Sequence, residues 1–146
     1  MRIERLCKEH LGAVAALERE CFSEPWSEQA LQWLLSDEAI GFVCLQGDCV
    51  VAYGGMLWAP GEGQITNIAT AVAARRCGCG RAVLHALIEA AKERAGCESI
   101  ALEVRASNTA AIALYEAEGF SVLGRRKGFY RHPVEDALVM AFSLTR

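Results

Sequence analysis

An α/β domain is what this 146-residue chain predicts, on three features. Apolar runs of strand length alternate with stretches whose apolar residues recur every three or four positions. Residues 81–95 carry the strongest helical pattern, with Leu84, Leu87, Ile88 and Ala91 on one face and Glu89, Lys92, Glu93 and Arg94 on the other. A glycine turn at residues 75–81 (Arg75, Arg76, Cys77, Gly78, Cys79, Gly80, Arg81) joins that helix to an apolar run at 64–70, giving the order strand, turn, helix.

The elements follow in order. Residues 3–6 make a short first strand, and 9–21 a helix on the stripe Leu11, Val14, Leu17 and Cys21. Ser27, after Pro25, is an N-cap with Glu28 in the first turn, and Leu31, Leu34 and Leu35 give this second helix its buried face. Residues 42–46 and 49–58 are two strands of a hairpin turning at Gly47 and Asp48. A turn at 60–63 leads to a third strand, 64–70, and Gly96 stops the helix 81–95. Residues 99–104 are a strand, apolar except for Glu103. Asn108 caps a short helix that runs through Glu118 and closes at Gly119. Strands 120–124 and 137–144 lie on either side of a basic loop, Arg125, Arg126 and Lys127. With no repeat, linker or low-complexity segment, one domain over residues 1–146 is expected.

Hydrophobic residues at 53% and charged residues at 23% fit a globular chain and not a disordered one. The net charge of −3 offers no basic footprint for nucleic acid. No apolar stretch reaches membrane-spanning length, and the first residues lack the charged-then-apolar order of a secretory signal. A cytoplasmic protein with neither a nucleic-acid nor a membrane partner is expected. The seven cysteines lack the paired spacing of zinc sites, and no histidine joins them at finger spacing, so no metal is expected. Cys7, Cys21, Cys44, Cys49 and Cys97 sit among apolar neighbours, as small buried thiols do in a reducing compartment. Metal binding and a reactive thiol are the competing readings.

Two places carry candidate chemistry. A glycine turn feeding a helix N-terminus presents unpartnered N–H groups at the positive end of the helix dipole, a site for an anionic group such as a pyrophosphate. A plain connecting turn is the alternative. Glu103 is the second place: buried in an apolar strand, it would have a raised pKa and act as a general base near neutral pH. Strand alternation pointing it to solvent is the alternative. Asn108 and Tyr115 are seven positions apart, two helical turns, and share a face. Capping alone explains Asn108, and core packing alone explains Tyr115.

Taken in order, several segments resemble the GNAT family of acetyl-CoA-dependent N-acetyltransferases. They are Phe22 to Trp26 (Phe-Ser-Glu-Pro-Trp), Asn67 to Ala69, the turn Arg-x-x-Gly-x-Gly, Leu102 to Asn108, Ala111 to Tyr115, and Glu135 to Met140. Within the family the chain is most similar to the RimI type, the ribosomal-protein-alanine N-acetyltransferases. The resemblance implies the GNAT fold, a central mixed and mostly antiparallel sheet whose central parallel strands splay, flanked by helices. It implies acetyl-CoA as co-substrate, with its pyrophosphate on the backbone of Arg76, Cys77, Gly78, Cys79, Gly80 and Arg81. Its pantetheine arm would pair with the backbone of Ile68, Ala69 and Thr70, and Asn108 would touch it. Glu103 would be the general base and Tyr115 the acid that protonates the departing thiolate. The acceptor implied is a protein N-terminal α-amine, that of the alanine of ribosomal protein S18.

That chemistry suits these groups. An α-amine has a pKa near 7.7–8.0 and must lose a proton to attack a thioester. The resulting oxyanion needs a donor, which a strand N–H near Ile68 to Thr70 would supply. No covalent enzyme intermediate is required, so Cys77 and Cys79 need not be nucleophiles. The chain also departs from its relatives. Thr70, Ala71 and Val72 stand where many have Val-Asp-Pro, and Phe129-Tyr130 where close ones have Tyr-Tyr. Trp26 either shapes a peptide entrance or anchors two helices. The competing functions are acetylation of another amine, such as a lysine or a small molecule, and a module that binds acetyl-CoA without catalysis. A nucleotide site is disfavoured: the turn lacks the third glycine of a dinucleotide fingerprint, and no P-loop lysine follows.

Overall fold

A computed structural model describes residues 1–144, so the last two positions of the expected domain lie outside the described residues. Seven strands form one sheet: β1 (Arg2–Arg5), β2 (Ala39–Gln46), β3 (Cys49–Ala59), β4 (Glu62–Thr70), β5 (Ser99–Arg105), β6 (Ser121–Tyr130) and β7 (Glu135–Ser143). Their order is β1-β2-β3-β4-β5-β7-β6. Every neighbouring pair is antiparallel except β4–β5. Helices α1 (Leu11–Cys21), α2 (Glu28–Leu31), α3 (Cys79–Glu93) and α4 (Thr109–Ala117) complete the chain, with single 3-10 turns at Lys8–His10, Gln32–Leu35 and Val72–Ala74.

Two apolar clusters pack the two faces of the sheet. Val83, Leu84, Leu87 and Ile88 of α3 meet Cys44, Met56, Ile100, Leu102 and Met140, joined by Tyr115 of α4. Leu11, Val14 and Leu17 of α1, with Leu31 and Leu34, meet Val43, Leu45 and Tyr53. Strand alternation produces this split, since Val43 and Leu45 point one way and Cys44 the other.

The parallel pair positions the site. β4 and β5 pair only at Glu62–Ser99, Gly63–Ile100 and Gln64–Ala101. Beyond these, β4 stays with β3 as far as Thr70, and β5 stays with β7 as far as Arg105. The register with β3 steps from Met56–Ile65 to Gly55–Asn67, so Thr66 is an extra residue, a bulge just past the last β4–β5 pair. A bulge bends its strand, and this one turns β4 away from β5. The splayed mixed sheet is the arrangement expected.

Several details differ from expectation. The long helix starts at Cys79 and ends at Glu93, because Gly78 (φ +82) adopts the left-handed conformation that ends the turn; Gly96 (φ +80) lies beyond the helix and not at its last residue. The second helix is one α-turn followed by a 3-10 turn, which leaves Leu35 39% exposed while Leu31 and Leu34 are buried. The third strand begins at Glu62, tightening the turn before it. Arg125, Arg126 and Lys127 lie inside β6 and not in a loop: the strand continues past register irregularities, with Gly128 at φ +62. Of the five cysteines expected to be buried, only Cys44 is; Cys7, Cys21 and Cys97 are half-buried and Cys49 is exposed. Cys79, expected in a loop, is buried in the α3 core, as its place at the first turn of a packed helix requires.

Candidate active site

The splay opens a cavity of about 570 Å³. Leu102, Glu103, Val104 and Arg105 of β5 all line it, although they alternate between the two faces, so the cleft passes through the sheet. On the α3 face it is bounded by Asn108, Ala111 and Tyr115. On the α1 face it is bounded by Phe22, Ser23, Glu24 and Trp26 together with Phe129 and Tyr130. Ile68, Glu103, Asn108 and Tyr115, four of the residues singled out in the sequence, therefore line one cleft. Ala69, Thr70 and the glycine turn are not among its lining residues. The turn packs against the end of β4 and against α4: a Cβ built at Gly80 would be 3.2 Å from Thr70 Oγ1 and 3.9 Å from Leu114.

Of the two readings of Glu103, strand alternation that turns it away from the core is the one the fold shows. Leu102 and Val104 point into the core, and Glu103 takes the alternate face with its side chain 34% exposed. Arg126 Nη1 donates to its Oε2 at 3.0 Å, and the Arg126 guanidinium sits 4.7 Å over the Phe129 ring. Burial behind a counter-charge thus replaces burial in hydrocarbon. Tyr130 lies in the same field: its own burial first, then the Glu103 charge, push its phenol up to about 12. Tyr115 is buried against Phe120, ring centroids 5.8 Å apart, and that burial raises its phenol well above the ordinary tyrosine range. Both tyrosines therefore keep their protons at neutral pH. Asn108 caps α4 by accepting the Ala111 N–H at 3.2 Å while still lining the cleft.

At the glycine turn, Gly78 provides no side-chain cap, and the first N–H to bond back is that of Ala82, to Gly78 O at 3.0 Å. The N–H groups of Cys79, Gly80 and Arg81 thus project from the helix start without an intrahelical acceptor. The Arg81 guanidinium is held by Glu118 at 3.3 Å, and His85 bonds the same carboxylate. What the turn offers an anion is backbone. On β4, Ala71 N–H bonds Val51 O on β3, so by alternation Ala69 also directs its main chain to β3. Ile68 and Thr70 then face the splayed side, and Thr70 O accepts Cys21 Sγ at 3.3 Å and Arg75 Nε at 3.3 Å. Where proline would have no N–H, Val72 has one, and it donates to Glu20 at 2.8 Å.

Two features of the cleft were not foreseen. Arg105 gathers the loops on the α1 face: it donates to Pro133 O (3.0 Å), Arg131 O (2.8 Å), Glu135 (3.2 Å) and Ser23 (3.3 Å), and its guanidinium lies 4.5 Å over the Tyr130 ring. Glu18 is the other, a fully buried carboxylate on α1 that bonds Tyr53, Asn67 and the Trp26 N–H. A signal for it existed, since Glu18 falls four residues after Val14 and seven after Leu11, on the apolar stripe itself. Among the described residues, no group of three or more histidine, cysteine or acidic side chains is placed to hold a metal, and no helix is long and apolar enough to cross a membrane.

A mixed sheet splayed at its one parallel pair, with a cleft through the gap and a glycine-turn helix start beside it, defines an acyltransferase of the GNAT fold. The model of the acetyltransferase (GNAT) family matches residues 6–120, and the chain belongs to that family. It is 34% identical over 137 residues, 92% of each chain, to the [ribosomal protein bS18]-alanine N-acetyltransferase of Escherichia coli K12. It is 33% identical, over the same shares, to that of Salmonella typhimurium LT2. The crystal structure of the ribosomal-protein-S18-alanine N-acetyltransferase from Escherichia coli superposes with a TM-score of 0.91 at 33% identity, covering 99% of this chain and 94% of that one.

Proposed function

We propose that this protein transfers the acetyl group of acetyl-CoA to the N-terminal α-amine of a protein, that of the alanine of ribosomal protein S18, in the cytoplasm. The observation that carries this is the cleft through the sheet, which puts Glu103 and Tyr115 in one space open to both faces. The acceptor comes from the relatives that match the chain nearly end to end.

Acetyl-CoA enters on the α3 face, bringing a thioester to the cleft. The N–H groups at the start of α3, from Arg76 and Cys77 through Gly78, Cys79, Gly80 and Arg81, hold its pyrophosphate. Ile68 and Thr70 bond the pantetheine amides along the splayed edge of β4, with Ala69 backing them on β3, and Asn108 closes the far side. The peptide enters on the α1 face. Arg126 engages Oε2 of Glu103, leaving Oε1 to take the ammonium proton directly or through one water. The freed amine forms the C–N bond at the thioester carbon, and an N–H of Ile68 or Thr70 donates to the oxyanion. As the C–S bond breaks, Tyr115 gives its hydroxyl proton to sulfur; the nitrogen of the adduct sheds its second proton to solvent, from which Tyr115 is reprotonated, and Glu103 returns to solvent the proton it took. Burial favours the neutral phenol, so this donor is loaded at every pH where the amine reacts.

The test is acetyl transfer to a peptide beginning with the S18 N-terminal residues, compared with the same peptide blocked at its N-terminus and carrying a free lysine. Acetylation of the free N-terminus supports the proposal; acetylation of the blocked peptide alone moves the acceptor to lysine. Transfer to neither, with acetyl-CoA bound, leaves a binding module.

A further inference from the structure

Glu18 is the one fully buried charged side chain among the described residues, and the reaction above makes no use of it. Its position on the α1 stripe suits a leucine, which would join Leu11 and Val14 with no polar group to satisfy. A buried carboxylate is costly unless both oxygens are bonded, and here both are. Oε1 accepts the Trp26 N–H at 2.8 Å; Oε2 accepts Asn67 Nδ2 at 2.9 Å and the Tyr53 hydroxyl. Trp26 and Asn67 line the cleft on the acceptor side, whereas Tyr53 does not line it.

The bond to Asn67 has a chemical consequence. A side-chain amide has a donor end and an acceptor end, and an acceptor-only carboxylate decides which end it holds. With Nδ2 held by Glu18, Asn67 Oδ1 makes no hydrogen bond among the described residues, and it is the acceptor that Asn67, a residue of the cleft wall, has left to offer. An incoming ammonium carries only donors. Resting on the amine-acceptor function proposed above, we infer that Asn67 Oδ1 binds the acceptor ammonium. Glu18 is the positioning residue that fixes the amide in that sense while holding the Trp26 backbone at the entrance.

Steady-state KM values for acceptor peptide and for acetyl-CoA, measured on N67A, E18Q and the double variant, test this. N67A is expected to raise acceptor KM by roughly tenfold or more, the scale of one lost hydrogen bond to a charged group, with acetyl-CoA KM within about twofold. E18Q, freeing the amide to turn, raises acceptor KM alone, and adds little once Asn67 is alanine, because the two act as a unit. Effects that multiply in the double variant, or that fall equally on both KM values, would make Glu18 a packing residue and overturn the inference. So would an N67A variant with unchanged acceptor KM, a result readable even if E18Q does not fold. The ratios are read on whichever amine peptide the wild type acetylates, so a wild type that takes only lysine refutes the α-amine reading and leaves them measurable.

Discussion

Glu103 stands on the open face of β5 with Arg126 as its counter-ion, so its carboxylate is held in one orientation. Glu103→Gln keeps the shape and removes the proposed base; kcat is expected to fall about 10²–10⁴-fold, the range for general-base loss, with acetyl-CoA affinity nearly unchanged by equilibrium binding. A comparable loss of cofactor affinity would make Glu103 structural. Tyr115→Phe removes the proposed proton donor while keeping the ring against Phe120, so kcat is expected to fall with little change in Tm. At this scale the sequence was a good guide to residues inside motifs and a poor one to partners. Glu103, Asn108 and Tyr115 were legible from their segments and do line one cleft. Arg126 was not connected to Glu103, because their pairing depends on β6 and β5 both flanking β7, which no local pattern carries. Glu18 escapes a local reading because a charged residue on an apolar stripe resembles an outward-facing neighbour, and its three partners Tyr53, Asn67 and Trp26 all lie outside its helix.

At the scale of elements, the glycine turn is what makes the start of α3 usable. Gly78 at φ +82 is tolerated without strain only as glycine. Gly78→Ala is expected to cost roughly 1–2 kcal/mol of stability and to raise acetyl-CoA KM several-fold while leaving acceptor KM near its original value. An unchanged acetyl-CoA KM would separate the turn from the cofactor. The β6–β7 hairpin is held by carboxylates. The Gly128 N–H first, then Arg125, keep the Asp136 carboxyl below its ordinary range, and Ser107, ahead of Arg105, does the same for Glu135. Carboxyls held low in the fold stabilise it above the unfolded-chain value of about 4 and lose that contribution as pH falls through their folded values. Asp136→Asn should therefore lower Tm at neutral pH, and the gap to wild type should close in melts below about pH 4. A gap that persists in acid would assign the effect to lost packing. The basic run shows where local reading fails: three adjacent cations resemble a loop, yet Arg125 and Arg126 pair with β7 and Lys127 opens the irregular stretch of the same strand.

For the whole molecule, the splay between β4 and β5 organises everything else. It lets a cleft cross the sheet, with lining residues from both faces. Its cause is one surplus residue, Thr66, where parallel pairing stops. Alternation and helical spacing made the order of elements legible, but a bulge has no composition of its own, and the splay was expected only by likeness to a family. Membership in the acetyltransferase (GNAT) family now rests on residues 6–120 and on the end-to-end match to the bS18-alanine N-acetyltransferases. The central claim is transfer to an α-amine. One peptide that begins with alanine and carries an internal lysine, incubated with protein and acetyl-CoA and sequenced by tandem mass spectrometry, tests it most directly. Acetyl is expected on the N-terminal fragment ions alone and is lost with Glu103→Gln; acetyl on the lysine, or on the N-terminus at an undiminished rate in that variant, rules out the proposed reaction.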